Sequence, residues 1–71
     1  MFARVMAVSN PFTYGTFSLR DVHMQTQDGI EVDRYFGDSP VVATQQEGEW
    51  IEYTPGSWYG VKRLGKTLAN H

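Results

Sequence analysis

The chain contains no cysteine. A disulfide framework, thiolate chemistry and the usual thiolate-rich zinc sites are therefore excluded. Cysteine usage does not reveal the compartment, and a reducing cytosol is the default expectation. Long apolar runs are missing as well: stretches such as Val5–Val8 are far too short to span a bilayer. The opening Met-Phe-Ala-Arg-Val-Met-Ala-Val-Ser lacks the apolar centre of a secretion signal, so the chain reads as soluble and unprocessed. Helical periodicity is nearly absent. Basic residues are few, six against eight acidic, for a net charge of −2 and a pI near 5.5, which weighs against a general nucleic-acid binder.

What is present points to strands. Seventy-one residues make one domain, 1–71, close to the lower size limit for a self-sufficient core. β-Branched and aromatic residues alternate with polar ones along it. The expected fold is all-β: five or six short antiparallel strands in a twisted meander or small barrel, with oligomerisation as a means of completing it. Small chains without disulfides or metals are often stabilised by association, so a homo-oligomer is expected.

Taken in order, Phe2–Val8 is a first strand and Ser9–Gly15 a loop punctuated by Asn-Pro and Gly. Thr16–Thr26 and Ile30–Phe36 flank Gln27-Asp28-Gly29. A three-residue loop with left-handed Gly29 sets Met24 opposite Val32 and His23 opposite Asp33, whereas a two-residue loop mixes apolar and polar residues on both faces. Farther from the turn the alternation breaks, and a bulge near Arg20-Asp21 would restore it and bring Leu19 opposite Phe36. Pro40 opens the next predicted strand, which a second three-residue loop, Gln46-Glu47-Gly48, pairs with the following one, Ala43 facing Ile51 and Val41 facing Tyr53. Trp50 then falls on the opposite face, beside Val42 and Thr44. After Pro55-Gly56, either a direct hairpin pairs Tyr53 with Trp58 and Glu49 with Lys62, or a wider loop intervenes before a last strand at Trp58–Leu64. Residues 65–71 form a frayed tail or one helical turn. Both sheet faces carry large apolar groups, so the sheet either curls up or has its second face covered by another chain.

Gly48–Gly60 holds both tryptophans and two of the four tyrosines. It is the expected nucleus of the core, with Trp58 inside and Trp50 free to act as a contact anchor. All eight acidic residues lie between Asp21 and Glu52, where Arg34 is the one base; the other five bases flank that block. The fold then either separates an acidic from a basic surface or neutralises the two across strands.

Gly60-Val61-Lys62-Arg63-Leu64-Gly65-Lys66-Thr67 matches the phosphate-loop pattern G-x-x-x-x-G-K-[ST]. The pattern requires a following helix and a parallel α/β context, which the sequence does not offer. His23 has Asp33 and Asp21 as candidate partners, yet no nucleophile, oxyanion donor or pocket accompanies it, and a half-exposed, charge-paired histidine is the simpler reading. Acidic pairs such as Glu49 and Glu52 have no calcium-loop spacing and read as solvated hairpin tips.

No catalytic residue, cofactor or metal ligand is assigned, and no membrane contact is expected. The chain reads as a non-enzymatic protein-binding module, an inhibitor or adaptor of the type viruses and mobile elements encode, with Trp50, Tyr59 and Arg63 as partner-binding candidates. The competing reading is a nucleotide or single-stranded nucleic-acid binder that uses Trp58, Lys62, Arg63 and Lys66.

Overall fold

The computed structural model describes residues 1–66. Six strands form: β1 (Phe2–Val8), β2 (Phe12–Tyr14), β3 (Phe17–Thr26), β4 (Glu31–Gly37), β5 (Trp50–Tyr53) and β6 (Val61–Gly65). One helical turn, α1 (Pro40–Ala43), separates β4 from β5. All strand pairs are antiparallel and belong to a single sheet, which is open rather than closed into a barrel.

The long strand β3 is the centre of the sheet. One edge pairs with β4, and its other edge is shared by β2, opposite Phe17–Leu19, and β1, opposite Val22–Thr26. Hence β1 and β2 are two parts of one broken strand. The break falls where Pro11 has no amide to donate. There Ser9 substitutes for a regular ladder: its amide donates to the Asp21 carbonyl at 2.9 Å and its hydroxyl accepts from the Asp21 amide at 2.8 Å. Beyond β1 come β5 and then β6.

Ala3, Val5, Val22, Met24, Phe36, Ile51 and Tyr53 bury the inner face, and Val42 of α1 packs among them. Between Val5 and Ala7 the β1–β3 register shifts, leaving Met6 as the extra residue of a bulge. That shift returns Val8 to the inner face, opposite Val22, although it is three residues from Val5. The sheet curls so that the Tyr53 ring meets Phe36 edge-on at 5.8 Å. The Arg34 guanidinium lies over both rings, 5.4 Å and 5.1 Å from their centroids, and donates to the Thr54 and Ser57 carbonyls. Gly37 donates its amide to the Trp58 carbonyl at 3.0 Å, so the 54–60 loop runs beside the edge of β4 that β3 does not use.

The 27–29 hairpin has the register read from the sequence: Met24 faces Val32, His23 faces Asp33, and Gly29 sits at φ 85. Other expectations are corrected. Ser9–Gly15 is not all loop, because Phe12–Tyr14 pairs with Phe17–Leu19 around a two-residue Gly15-Thr16 turn, with Gly15 at φ 62 in the position a II′ turn reserves for glycine. No bulge occurs at Arg20-Asp21; Leu19 faces Gly37 and Arg20 faces Phe36.

The predicted strand around Val41 is instead α1. Ser39 caps it, its hydroxyl accepting from the Val42 amide at 3.4 Å, and Pro40 occupies the first turn, where its missing amide costs nothing. Ala43–Ile51 and Val41–Tyr53 pairing is therefore not formed, and β5 pairs with β1 and β6. The wider of the two loops is the one present: Tyr53 faces Val61 and Glu52 faces Lys62, so the last strand begins at Val61, not Trp58. Val61–Gly65 of the phosphate-loop match consequently form β6 rather than a phosphate-binding loop. Of the tail expected at 65–71, Gly65 instead ends β6, because the strand's pairing with β5 extends to Trp50↔Gly65, and 67–71 lie outside the described residues. Finally, only Ile51 and Tyr53 of the Gly48–Gly60 stretch enter the core; Trp58 is 37% exposed.

Phe36→Ala should lower unfolding free energy by about 3–5 kcal/mol, the usual cost of emptying a fully buried aromatic site, and Trp58→Ala by far less. Urea denaturation followed by circular dichroism ranks the two.

Candidate functional site

In an antiparallel ladder paired residues share a face, and every second residue returns to it. The unbroken β3–β4 register places Leu19, Asp21 and His23 with Tyr35, Asp33 and Glu31 on the outer face, away from the core. The β2–β3 pairs add Phe12, opposite Leu19, and Tyr14, opposite Phe17. Leu19 is 2% exposed yet lies outside the main core cluster. It is the buried floor of a second, shallow apolar layer.

Around that floor the aromatic rings stay in water. Phe12 meets Tyr35 edge-on at 5.5 Å, and Phe17 meets Trp58 edge-on at 5.3 Å. Each such pair contributes roughly 0.5–1.5 kcal/mol beyond area burial, enough to orient the rings without covering them. Tyr14 remains 68% exposed and Trp58 37%. Gly37 lies opposite Leu19 with no side chain of its own, and a Cβ there would overlap the Tyr59 ring. The absent side chain lets Tyr59 lie against the end of β4, so Gly37 and the amide bond to Trp58 together bring the loop aromatics to the strand aromatics.

Farther along the same face, both ring nitrogens of His23 meet carboxylates: Nδ1 to Asp33 Oδ1 and Nε2 to Glu31 Oε1, each at 2.8 Å. Two acceptors require two N–H donors, so the arrangement suits an imidazolium. The bond to Glu31, then that to Asp33, raises the His23 pKa above its ordinary value. An imidazolium has no lone pair to act as a base.

Glu49, read as part of a solvated tip, is buried. Arg63 grips it with two parallel bonds of 2.9 Å, Nε to Oε2 and Nη2 to Oε1, and the Gln46 amide donates to Oε1 at 2.9 Å. The Arg63 guanidinium, helped by the Gln46 amide and opposed by burial, holds the Glu49 carboxyl below its usual range. Arg63 also donates to the Thr44 hydroxyl at 3.2 Å, fastening β6 to the end of α1.

The structure gathers only some of the sequence-derived candidates. Trp58 and Tyr59 join the aromatic end. Trp50 is half-buried in β5, on the face opposite Ile51 and Tyr53 as expected, but its neighbours there are Arg4 and Gly65 rather than Val42 and Thr44. Lys62 and Arg63 are consecutive in β6 and so point to opposite faces, with Arg63 held by Glu49. Lys62 lines an open cleft of about 420 Å³ with Met1, Glu52, Tyr53 and Tyr59, and Lys66 is exposed just past β6. These two lysines are not arranged around Trp58.

Phe12, Tyr14, Phe17 and Tyr35 were absent from the sequence-derived site. Their signal was the broken alternation in β3: Phe17 and Leu19 are out of phase with Val22 and Met24 because the strand serves two apolar faces. Among the described residues, no group of three His, Cys, Asp or Glu side chains is arranged to hold a metal ion.

The two ion-paired sites should act on opposite limbs of a stability–pH profile. The His23 contribution is complete below its ordinary pKa of 6.5 and is lost as pH rises through the raised value; the Glu49 contribution is complete above 4.5 and is lost as pH falls through the lowered value. Urea midpoints across pH should show His23→Gln flattening the alkaline limb and Glu49→Gln the acid limb. No protein-family model, curated protein or solved structure matches this chain.

Proposed function

We propose that this protein is a non-enzymatic protein-binding module whose outer aromatic face docks a partner protein. One observation supports the reading above the others. Of the ten aromatic residues, Phe12, Tyr14, Phe17, Tyr35, Trp58 and Tyr59 are exposed, and all are at the same end of the fold. Fully burying a large apolar side chain typically contributes about 1.5–3 kcal/mol, and these positions leave part of that unrealised in the isolated chain. Contiguous exposed apolar patches mark contact surfaces, and aromatic residues dominate their energetic centres.

An inhibitor or adaptor role suits a small domain with one such face. The competing nucleotide or single-stranded nucleic-acid reading would stack bases on the same rings. It is disfavoured because the acidic Asp21 and Asp33 share their face, whereas the Arg63 guanidinium is already paired with the buried Glu49 carboxylate.

The test is native mass spectrometry of tagged protein purified from its own host, alongside Phe17→Ser/Tyr35→Ser/Tyr59→Ser and Lys62→Ala variants checked for native circular dichroism. A stoichiometric protein should accompany the wild type and Lys62→Ala but not the triple variant. A partner retained by the folded triple variant removes the aromatic face from the account. A phosphate-bearing ligand lost on Lys62→Ala would establish the competing reading instead.

A further inference from the structure

The charge around the aromatic end is one-sided. Asp21 stands directly opposite Tyr35 in the β3–β4 ladder, and Asp33 and Glu31 follow along β4 on the same face. Asp21 makes no ion pair among the described residues, and its Oδ1 is buried without a hydrogen-bond partner.

Nearby cations do not offset this. Arg20 and Arg34 alternate to the inner side, opposite Phe36 and Val22. Arg20 is bound to Asp38 at 2.7 Å and to the Ser9 carbonyl, and Arg34 to the loop carbonyls. His23, even as an imidazolium, is one positive charge among Asp21, Glu31 and Asp33. Arg4 of β1 shares the face but stands in the row of Gln25 and Glu31, beyond His23 from the aromatic end. Lys62 lines the cleft that Tyr59 also borders, but it stands opposite Glu52 on β6, the third strand from β3 in the sheet order.

We infer that the partner engages this face through a cationic, arginine- or lysine-bearing protein segment that lays its charge over the rings and against Asp21, Asp33 and Glu31. The inference rests on the protein-docking reading and names the chemistry of the docked surface. Arginine fits best, since a guanidinium stacks on aromatic faces and also forks onto carboxylates. A second copy of the chain fits poorly, because each carries a net −2 and meets the acidic face with like charge.

Trp50→Phe leaves Trp58 as the sole indole, on the docking face itself. Its emission can be titrated with two peptides that lack aromatic side chains, a short Arg/Leu peptide and a Glu/Leu peptide of the same pattern, and with oligothymidylate, whose tighter binding would overturn the cationic assignment in favour of base stacking. The Arg/Leu peptide should bind saturably, about tenfold or more tighter than the Glu/Leu peptide, weakening with salt. Asp33→Asn/Glu31→Gln, at exposed positions that should not disturb folding, should weaken it several-fold, while Lys62→Ala leaves it unchanged. Equal or tighter binding of the Glu/Leu peptide, lost on Phe17→Ser/Tyr35→Ser, would overturn the cationic assignment and leave the docking reading standing. Binding that ignores those aromatic substitutions, or no binding of any probe, would overturn the assignment; in the first case the docking reading falls with it. A dimer in sedimentation velocity that disperses on Phe17→Ser would replace the cationic partner with a second copy.

Discussion

The unbroken ladder between β3 and β4 is the constraint on which the rest depends. Seven consecutive pairs run from Leu19↔Gly37 to Gln25↔Glu31 without a shift. Because side chains alternate strictly along such a ladder, Val22, Met24 and Phe36 can reach the inner core only if Leu19 and Tyr35 stay outside it. A bulge in this pair of strands would have turned Leu19 inward. The bulge occurs in β1 instead, where it corrects the phase of Val8 and leaves the outer face intact. The domain thus has one filled core and a second apolar layer with a floor but no cover.

Closure is the second consequence. Six short strands curl without meeting, and the 54–60 loop runs along the open edge of β4. Arg34 and the Gly37 amide attach it there, which brings Trp58 onto Phe17 and Tyr59 over Gly37. The arginines that hold the fold together are correspondingly engaged: Arg20 by Asp38, Arg34 by two rings and two carbonyls, Arg63 by Glu49. Much of the charge asymmetry in the sequence is neutralised across strands this way, and Lys62 opposite Glu52 continues the pattern. The outer face near the aromatic end is where negative charge remains in excess.

Local chemistry was legible in the sequence where it alone decides structure. Gln27-Asp28-Gly29 between two alternating runs fixed both the turn and the His23–Asp33 pairing, because one register alone separated apolar from polar. Pro40 was misread because a proline can open either a strand or a helix; the preceding Ser39 cap, a local signal, distinguishes them. The core status of Trp58 was misjudged for another reason. Its burial depends on whether the chain from Pro55 to Gly60 belongs to a hairpin or to a wide loop, and that is settled by where β6 finds its register with β5. Glu49 was likewise illegible, since its partner Arg63 is reached only through that register. The aromatic site was only partly visible: Trp58 and Tyr59 were candidates, but Phe12, Tyr14, Phe17 and Tyr35 join them only because β2 pairs with β3 and the loop reaches β4.

The docking face exists only if the isolated protein shows its outer tyrosines to solvent. Flavin-sensitised photo-CIDNP spectroscopy reads this residue by residue in a sample confirmed as monomeric by sedimentation. Strong polarisation is expected at Tyr14, Tyr35, Tyr59 and Trp58, and none at Tyr53, which is 6% exposed beneath Arg34. Silent signals from Tyr14, Tyr35 and Tyr59 in the monomer would mean that the outer layer is covered by the chain itself, and the docking face would not exist.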